Sequence, residues 1–134
     1  MNFEEIEHTA DRALRIFGTD LTDLLVNAAE GMTHMMVSDV SVISTEIEKS
    51  IDIEAIDAES LLVEWLTELA YWAESHMFVF KKFRIQKVTA THLQAKIFGG
   101  RAPMLEKHIK AVTYHNLKII KTSEGLEATI VFDV

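Results

Sequence analysis

The sequence predicts an α+β fold in a single domain spanning residues 1–134, with mostly antiparallel sheets layered against two amphipathic helices. Two stretches carry apolar residues at helical spacing, several short segments alternate apolar and polar residues, and the chain closes in an alternating hairpin. A chain of 134 residues with 49% hydrophobic and 25% charged content is one globular domain and is long enough to bury a real core. No Ser/Gly-rich linker, repeat or low-complexity tract divides it, and Pro103 is its only proline.

Taken in order, Phe3-Glu4-Glu5-Ile6-Glu7-His8 and Ala13-Leu14-Arg15-Ile16-Phe17 read as short strands around a turn at Thr9-Ala10-Asp11-Arg12. Gly18-Thr19-Asp20 supplies cap residues for a helix, and Leu21, Leu24, Leu25, Ala28, Met32, Met35 and Met36 keep helical spacing to about Ser38. Ile47, Ile51, Ile53 and Ala55 sit among charged residues in strand fashion. Asp57-Ala58-Glu59-Ser60 opens a second helix with acids at its positive dipole end. Its stripe is Leu62, Trp65, Leu66, Leu69, Trp72 and Ala73, reaching about Ser75. The period then becomes two. Phe78 and Phe80, then Phe83 and Ile85, then Leu93, Ala95 and Ile97 mark successive strands, ended by Gly99-Gly100-Arg101-Ala102-Pro103. Leu117 and Ile119 lead to a turn at Thr122-Ser123-Glu124-Gly125. The alternation of Leu126, Ala128, Ile130, Phe132 and Val134 then predicts a last strand antiparallel to residues 117–120. Met32, Met35, Met36, Trp65 and Trp72 are expected in the core, and His34, His76 and His92 have no partner evident in the sequence.

Composition removes several classes of function. There is no cysteine, so disulfides, thiolate metal sites and thiol nucleophiles are excluded. Met1-Asn2-Phe3-Glu4-Glu5 has neither a basic nor an apolar signal region, and no apolar run approaches the roughly 20 residues of a bilayer span. The expectation is a cytoplasmic protein that does not engage membranes. Residues 1–80 hold 17 of the 21 acids, whereas residues 81–121 hold ten of the 13 lysines and arginines. Such a division marks either a polarised surface for a charged partner or two parts whose charges meet on folding. The net charge of −8 opposes unaided binding to nucleic acid and leaves room for a protein partner.

No Gly-rich phosphate loop, GxSxG elbow or HExxH pair is present. Three candidates remain. In Glu7-His8-Thr9-Ala10-Asp11 a histidine and an aspartate three apart in a turn can aim at one cation, although Thr9 and Asp11 can equally satisfy turn amides. Asp133 stands beside the α-carboxylate of Val134, and oxygen ligands of this kind suit hard ions. In Lys107–His115 basic groups alternate with apolar ones. Lys110 there is either a solvated strand lysine or a point charge for phosphate or a carboxylate partner.

The same segments carry a family resemblance. Glu7-His8-Thr9-Ala10-Asp11 resembles the N-terminal motif of the archease family, and Leu61-Leu62-Val63-Glu64-Trp65-Leu66-Thr67-Glu68-Leu69 resembles its central helix. Lys110-Ala111-Val112-Thr113-Tyr114-His115 and Val131-Phe132-Asp133-Val134 are similar to its later motifs, so the resemblance covers essentially the whole chain. The chain departs from the family pattern at Arg12-Ala13, where an aliphatic or small pair is usual. The resemblance implies an archease-like fold. It also implies a metal-binding activator rather than an enzyme: a protein cofactor of an RtcB-type RNA ligase that acts in tRNA splicing. Such a cofactor promotes guanylylation of a ligase histidine by GTP and supports multiple turnover, meeting RNA only through the ligase. It further implies a divalent cation, calcium first and magnesium or manganese as alternatives, held through Asp11, Asp133 and Val134, with Lys110 as the activating lysine. Two other readings stay open: a small metal-dependent hydrolase using Asp11, His8 and Asp133 around an activated water, and an interaction module in which an ion only rigidifies the chain's end.

Overall fold

Hydrogen-bonding side chains punctuate the chain where the sequence places them. The structure, a computed structural model, describes residues 2–7 and 11–134. Strands β1 (Phe3–Glu7) and β2 (Arg12–Gly18) form an antiparallel hairpin from Phe3 opposite Ile16 to Glu7 opposite Arg12. Helix α1 (Leu21–Met36) comes next. Asp20 caps it by accepting from the Asp23 N–H at 2.9 Å, while the Asp23 carboxylate accepts from the Thr19 N–H at 2.9 Å. Two otherwise unpaired amides at the helix start are thereby satisfied. A 3-10 turn at Val40–Val42 leads to β3 (Ile47–Glu54). Helix α2 (Ala58–His76) is capped by Asp57, which accepts from the Ser60 N–H at 2.7 Å. It ends on Met77 in the left-handed region, at φ 60°.

The remaining strands are β4 (Phe78–Thr89), β5 (His92–Arg101), β6 (Ala111–Thr113), β7 (Ile120–Thr122) and β8 (Gly125–Asp133). Among the described residues one sheet runs β1-β2-β8-β6, with β7 also on β8, and a second runs β3-β5-β4. All pairings are antiparallel. The two helices lie between the sheets and tie them together. Helix α1 packs on β2 and β4, and α2 packs on β3, β4 and β6. Three hydrogen bonds fix this arrangement: Asn27 Nδ2 to the Phe17 carbonyl at 2.7 Å, Thr33 Oγ1 to the Phe80 carbonyl at 2.8 Å, and Trp65 Nε1 to the Leu25 carbonyl at 2.9 Å. Each satisfies a polar atom that burial would otherwise leave costly. Met32, Met35 and Met36 are buried in the core as expected.

Four local expectations are corrected. The two strands expected at Phe78/Phe80 and Phe83/Ile85 are one strand, β4, with irregularities between Phe80 and Lys82 and between Ile85 and Lys87. An extra residue in a bulge reverses the parity of the positions beyond it, which is why the apolar positions change phase within one strand. Gly99 and Gly100 do not end the run but lie inside β5, because a Cβ on Gly99 would collide with the Val79 carbonyl oxygen of β4. The last hairpin is shorter than expected. Residues 117–119 are irregular, β7 covers only Ile120–Thr122, and most of β8 pairs instead with β2, from Gly18–Leu126 to Arg12–Phe132. Finally, Trp72 is only half-buried. It stacks on Phe78 and His76, donates to Glu68 at 2.9 Å and carries Lys49 Nζ 4.1 Å above its ring.

Candidate functional site

Strand β8 is the centre of the first sheet, and its last residue is Asp133. On one side the β2–β8 register ends at Arg12 opposite Phe132, so Asp11 stands one step beyond the last pair, next to Asp133. On the other side Ala111 pairs with Asp133, and the Lys110 N–H donates to the Asp133 carbonyl at 2.7 Å. Neighbouring strands lie about 4.8 Å apart, so this end of the sheet gathers Asp11, Lys110, Asp133 and Val134 from three distant stretches of chain. His8 and the turn residues Thr9 and Ala10 lie outside the described residues.

Side-chain alternation along β8 sets the face of Asp133. Phe132 is fully buried and Asp133, the next residue, is exposed, so Asp133 belongs to the face away from the core. Lys110 directly precedes β6 and lines a cleft against α2 with Tyr71, Glu74 and Ile109. Lys110 is exposed, and among the described residues no carboxylate is paired with its ammonium. This end of the sheet therefore brings two acidic residues and an exposed lysine close together in the backbone.

As donors for a cation, these residues offer the Asp11 and Asp133 carboxylates and the main-chain oxygens of Val134. The set is all oxygen, hence suited to a hard divalent ion with water completing its coordination. Among the described residues no group of three His, Cys, Asp or Glu side chains gathers for a metal.

The family model for the Archease protein family (MTH1598/TM1083) matches residues 3–134 of this chain. The chain belongs to the archease family. The protein archease of Methanosarcina barkeri is 34% identical over 140 residues, covering 98% of this chain and 95% of that protein. The archease of Archaeoglobus fulgidus is 34% identical over 138 residues, with both chains covered fully. The solution structure of protein 1598 from Methanobacterium thermoautotrophicum superposes with a TM-score of 0.76 at 28% identity, covering 99% of each chain. A crystal structure from Thermotoga maritima, named an archease and possible chaperone, shares the fold with a TM-score of 0.66 at 24% identity over 98% of this chain and 96% of that one. The expected fold class and family thus hold across residues 3–134. No helix is long and apolar enough to cross a membrane.

Several surface residues of this archease were not legible as a site. His92 Nε2 lies 2.8 Å from Asp52 Oδ1, and Gln94 Nε2 donates to Asp52 Oδ2 at 3.0 Å. The Gln94 amide first, and then the His92 ring, hold the Asp52 carboxyl below its usual range. His108 Nδ1 lies 3.1 Å from Glu74, and His34 stacks on Phe3. Burial pushes the Glu30 carboxyl up, against the opposing pull of His34. Tyr71 is 55% exposed on the outward face of α2. Its only sequence signal is an aromatic standing off the apolar stripe of that helix.

Proposed function

We propose that this archease is a metal-binding protein cofactor of an RtcB-type tRNA-splicing RNA ligase, promoting its guanylylation with GTP and supporting multiple turnover. It works in the cytoplasm beside the ligase and meets RNA only through it. The observation that carries the reading is the meeting of Asp11, Lys110, Asp133 and Val134 at one end of β8. Each comes from a motif that resembles the family, and the fold brings their backbones side by side.

The chemistry follows from the charges. Asp11 and Asp133 bind a divalent ion, calcium first and magnesium or manganese as alternatives, with the main-chain oxygens of Val134 completing the protein ligands. Such an ion would offset the repulsion of two neighbouring carboxylates and place positive charge at the exposed edge of the sheet. Lys110 presents a compact ammonium on a flexible stem toward the partner, where it orients and neutralises the triphosphate. In phosphoryl transfer positioning and charge neutralisation supply most of the catalysis, so an auxiliary surface can accelerate it without a nucleophile of its own.

The test is an RNA-ligation assay with the cognate ligase, with and without this protein. Stimulation with repeated turnover supports the cofactor reading. RNA hydrolysis by this protein alone would replace it with the hydrolase, and binding without stimulation would leave only an interaction module.

A further inference from the structure

The outward face of α2 carries a groove that, apart from Lys110 at its margin, the cofactor chemistry does not use. Near Lys110 it is a cleft of about 400 Å³ whose floor is mainly apolar, between Thr67, Ala70 and Tyr71 of α2 and Ile109–Val112. A second cleft of about 500 Å³, which shares Thr67 and Tyr71 with the first, lies between α2 and β3 and is walled by Asp52, Glu54, Glu64 and Glu68. Asp52 is held by His92 and Gln94, and Glu68 by Trp72. Among the described residues Glu54 and Glu64 have no ion-pair partner, and both are exposed. Together the two adjoining clefts form a surface that borders α2 from Glu64 to Ser75, about 16 Å of helix, the reach of about five extended residues.

We infer that this groove docks a short segment of a protein partner, apolar where it meets Tyr71 and Ile109 and rich in lysine or arginine where it passes Glu54 and Glu64. Charge selects the occupant. Carboxylate walls repel the phosphates of RNA and attract a basic peptide, whose aliphatic stems cover the apolar floor while their charged ends reach the acids. Position supports it too, because the apolar end of the groove is bordered by Lys110, whose backbone is bonded to Asp133. A segment seated there ends at the edge proposed to act on the ligase. The identity of the partner rests on that cofactor reading, whereas the chemistry of the segment does not.

The experiment compares the parent with the double variant Glu54→Lys, Glu64→Lys, neither residue belonging to the proposed metal or lysine site. Affinity for the cognate ligase is expected to fall about tenfold, with a shallower salt dependence. Full stimulation should return when the variant is saturating, because the active edge is untouched. Equal affinity of a folded variant overturns the inference, as does a parent that dimerises through this face. A second arm titrates the labelled parent with a pentapeptide of one leucine and four lysines, and with its glutamate counterpart, monitored by amide resonances. Shifts confined to Thr67, Ala70, Tyr71 and their groove neighbours, seen with the lysine peptide alone, are expected. No shifts, or shifts elsewhere, overturn the groove. If the lysine peptide seats there while the ligase does not bind the parent, the cofactor reading fails and the groove stands.

Discussion

Lys110 and Asp11 divide the proposed chemistry between them, and single substitutions separate their parts. A divalent ion is expected to raise the melting temperature of the parent. Asp11→Asn should abolish that rise, since it removes one of the two carboxylates at the end of β8; a rise that persists would move the ion elsewhere. Lys110→Ala should leave both the fold and the metal response intact, because substitution of an exposed side chain usually changes stability by less than about 0.5 kcal/mol. Ligase guanylylation should nevertheless fall. Lys110→Arg should not restore it fully if the lysine meets a tight phosphate site. A folded Lys110→Ala protein that stimulates as well as the parent removes the lysine from the mechanism. These residues were legible singly, through resemblance. Their meeting was legible only through that same resemblance, because strand register across 122 positions depends on tertiary pairing that no local pattern encodes.

The helices and strands were legible where local physics dominates. Asp20 and Asp57 sit at the starts of α1 and α2 as cap residues should. The Ser60 backbone N–H, and then its hydroxyl, hold the Asp57 carboxyl below its usual range. A carboxyl whose folded value is depressed contributes stability that is present above the ordinary carboxylate range near 4 and fades as pH falls through the depressed value. Asp57→Ala should therefore lower the melting temperature at neutral pH, and its gap from the parent should narrow below about pH 4. A gap that stays constant with pH would assign the cap a purely neutral role. Strand β4 shows where local reading stops. Its apolar residues change phase at bulges set by pairing with β5, so one strand looks like two. Gly99 looks like a breaker because its role, close approach to the Val79 carbonyl, belongs to the neighbouring strand.

The molecule holds together through side chains that span its layers, Trp65 chief among them. It is fully buried, lies edge-on to Phe83 of β4 and donates to the Leu25 carbonyl of α1. Trp65→Ala should cost about 3–5 kcal/mol in denaturant unfolding, through lost burial and the cavity left behind. A cost near that of a surface change would mean the two sheets do not share one core. The charge division of the sequence also resolves here. Lys96–Glu48, Lys107–Glu5, His92–Asp52 and His108–Glu74 each join the acidic first part to the basic second part, so part of the asymmetry is met within the fold. What remains on the basic side includes Lys82 and Arg84, each 5.5 Å from the Phe98 ring. On the acidic side remain Glu54 and Glu64 in the groove.

The transfer of GMP from GTP to the ligase histidine measures the central claim most directly. Labelled GMP on the cognate RtcB-type ligase is measured over time alone, with the parent archease, and with Asp133→Asn. The parent should accelerate labelling and sustain it through repeated rounds of ligation, while folded Asp133→Asn should leave the rate near that of the ligase alone. A labelling rate that the folded parent does not change would contradict the account.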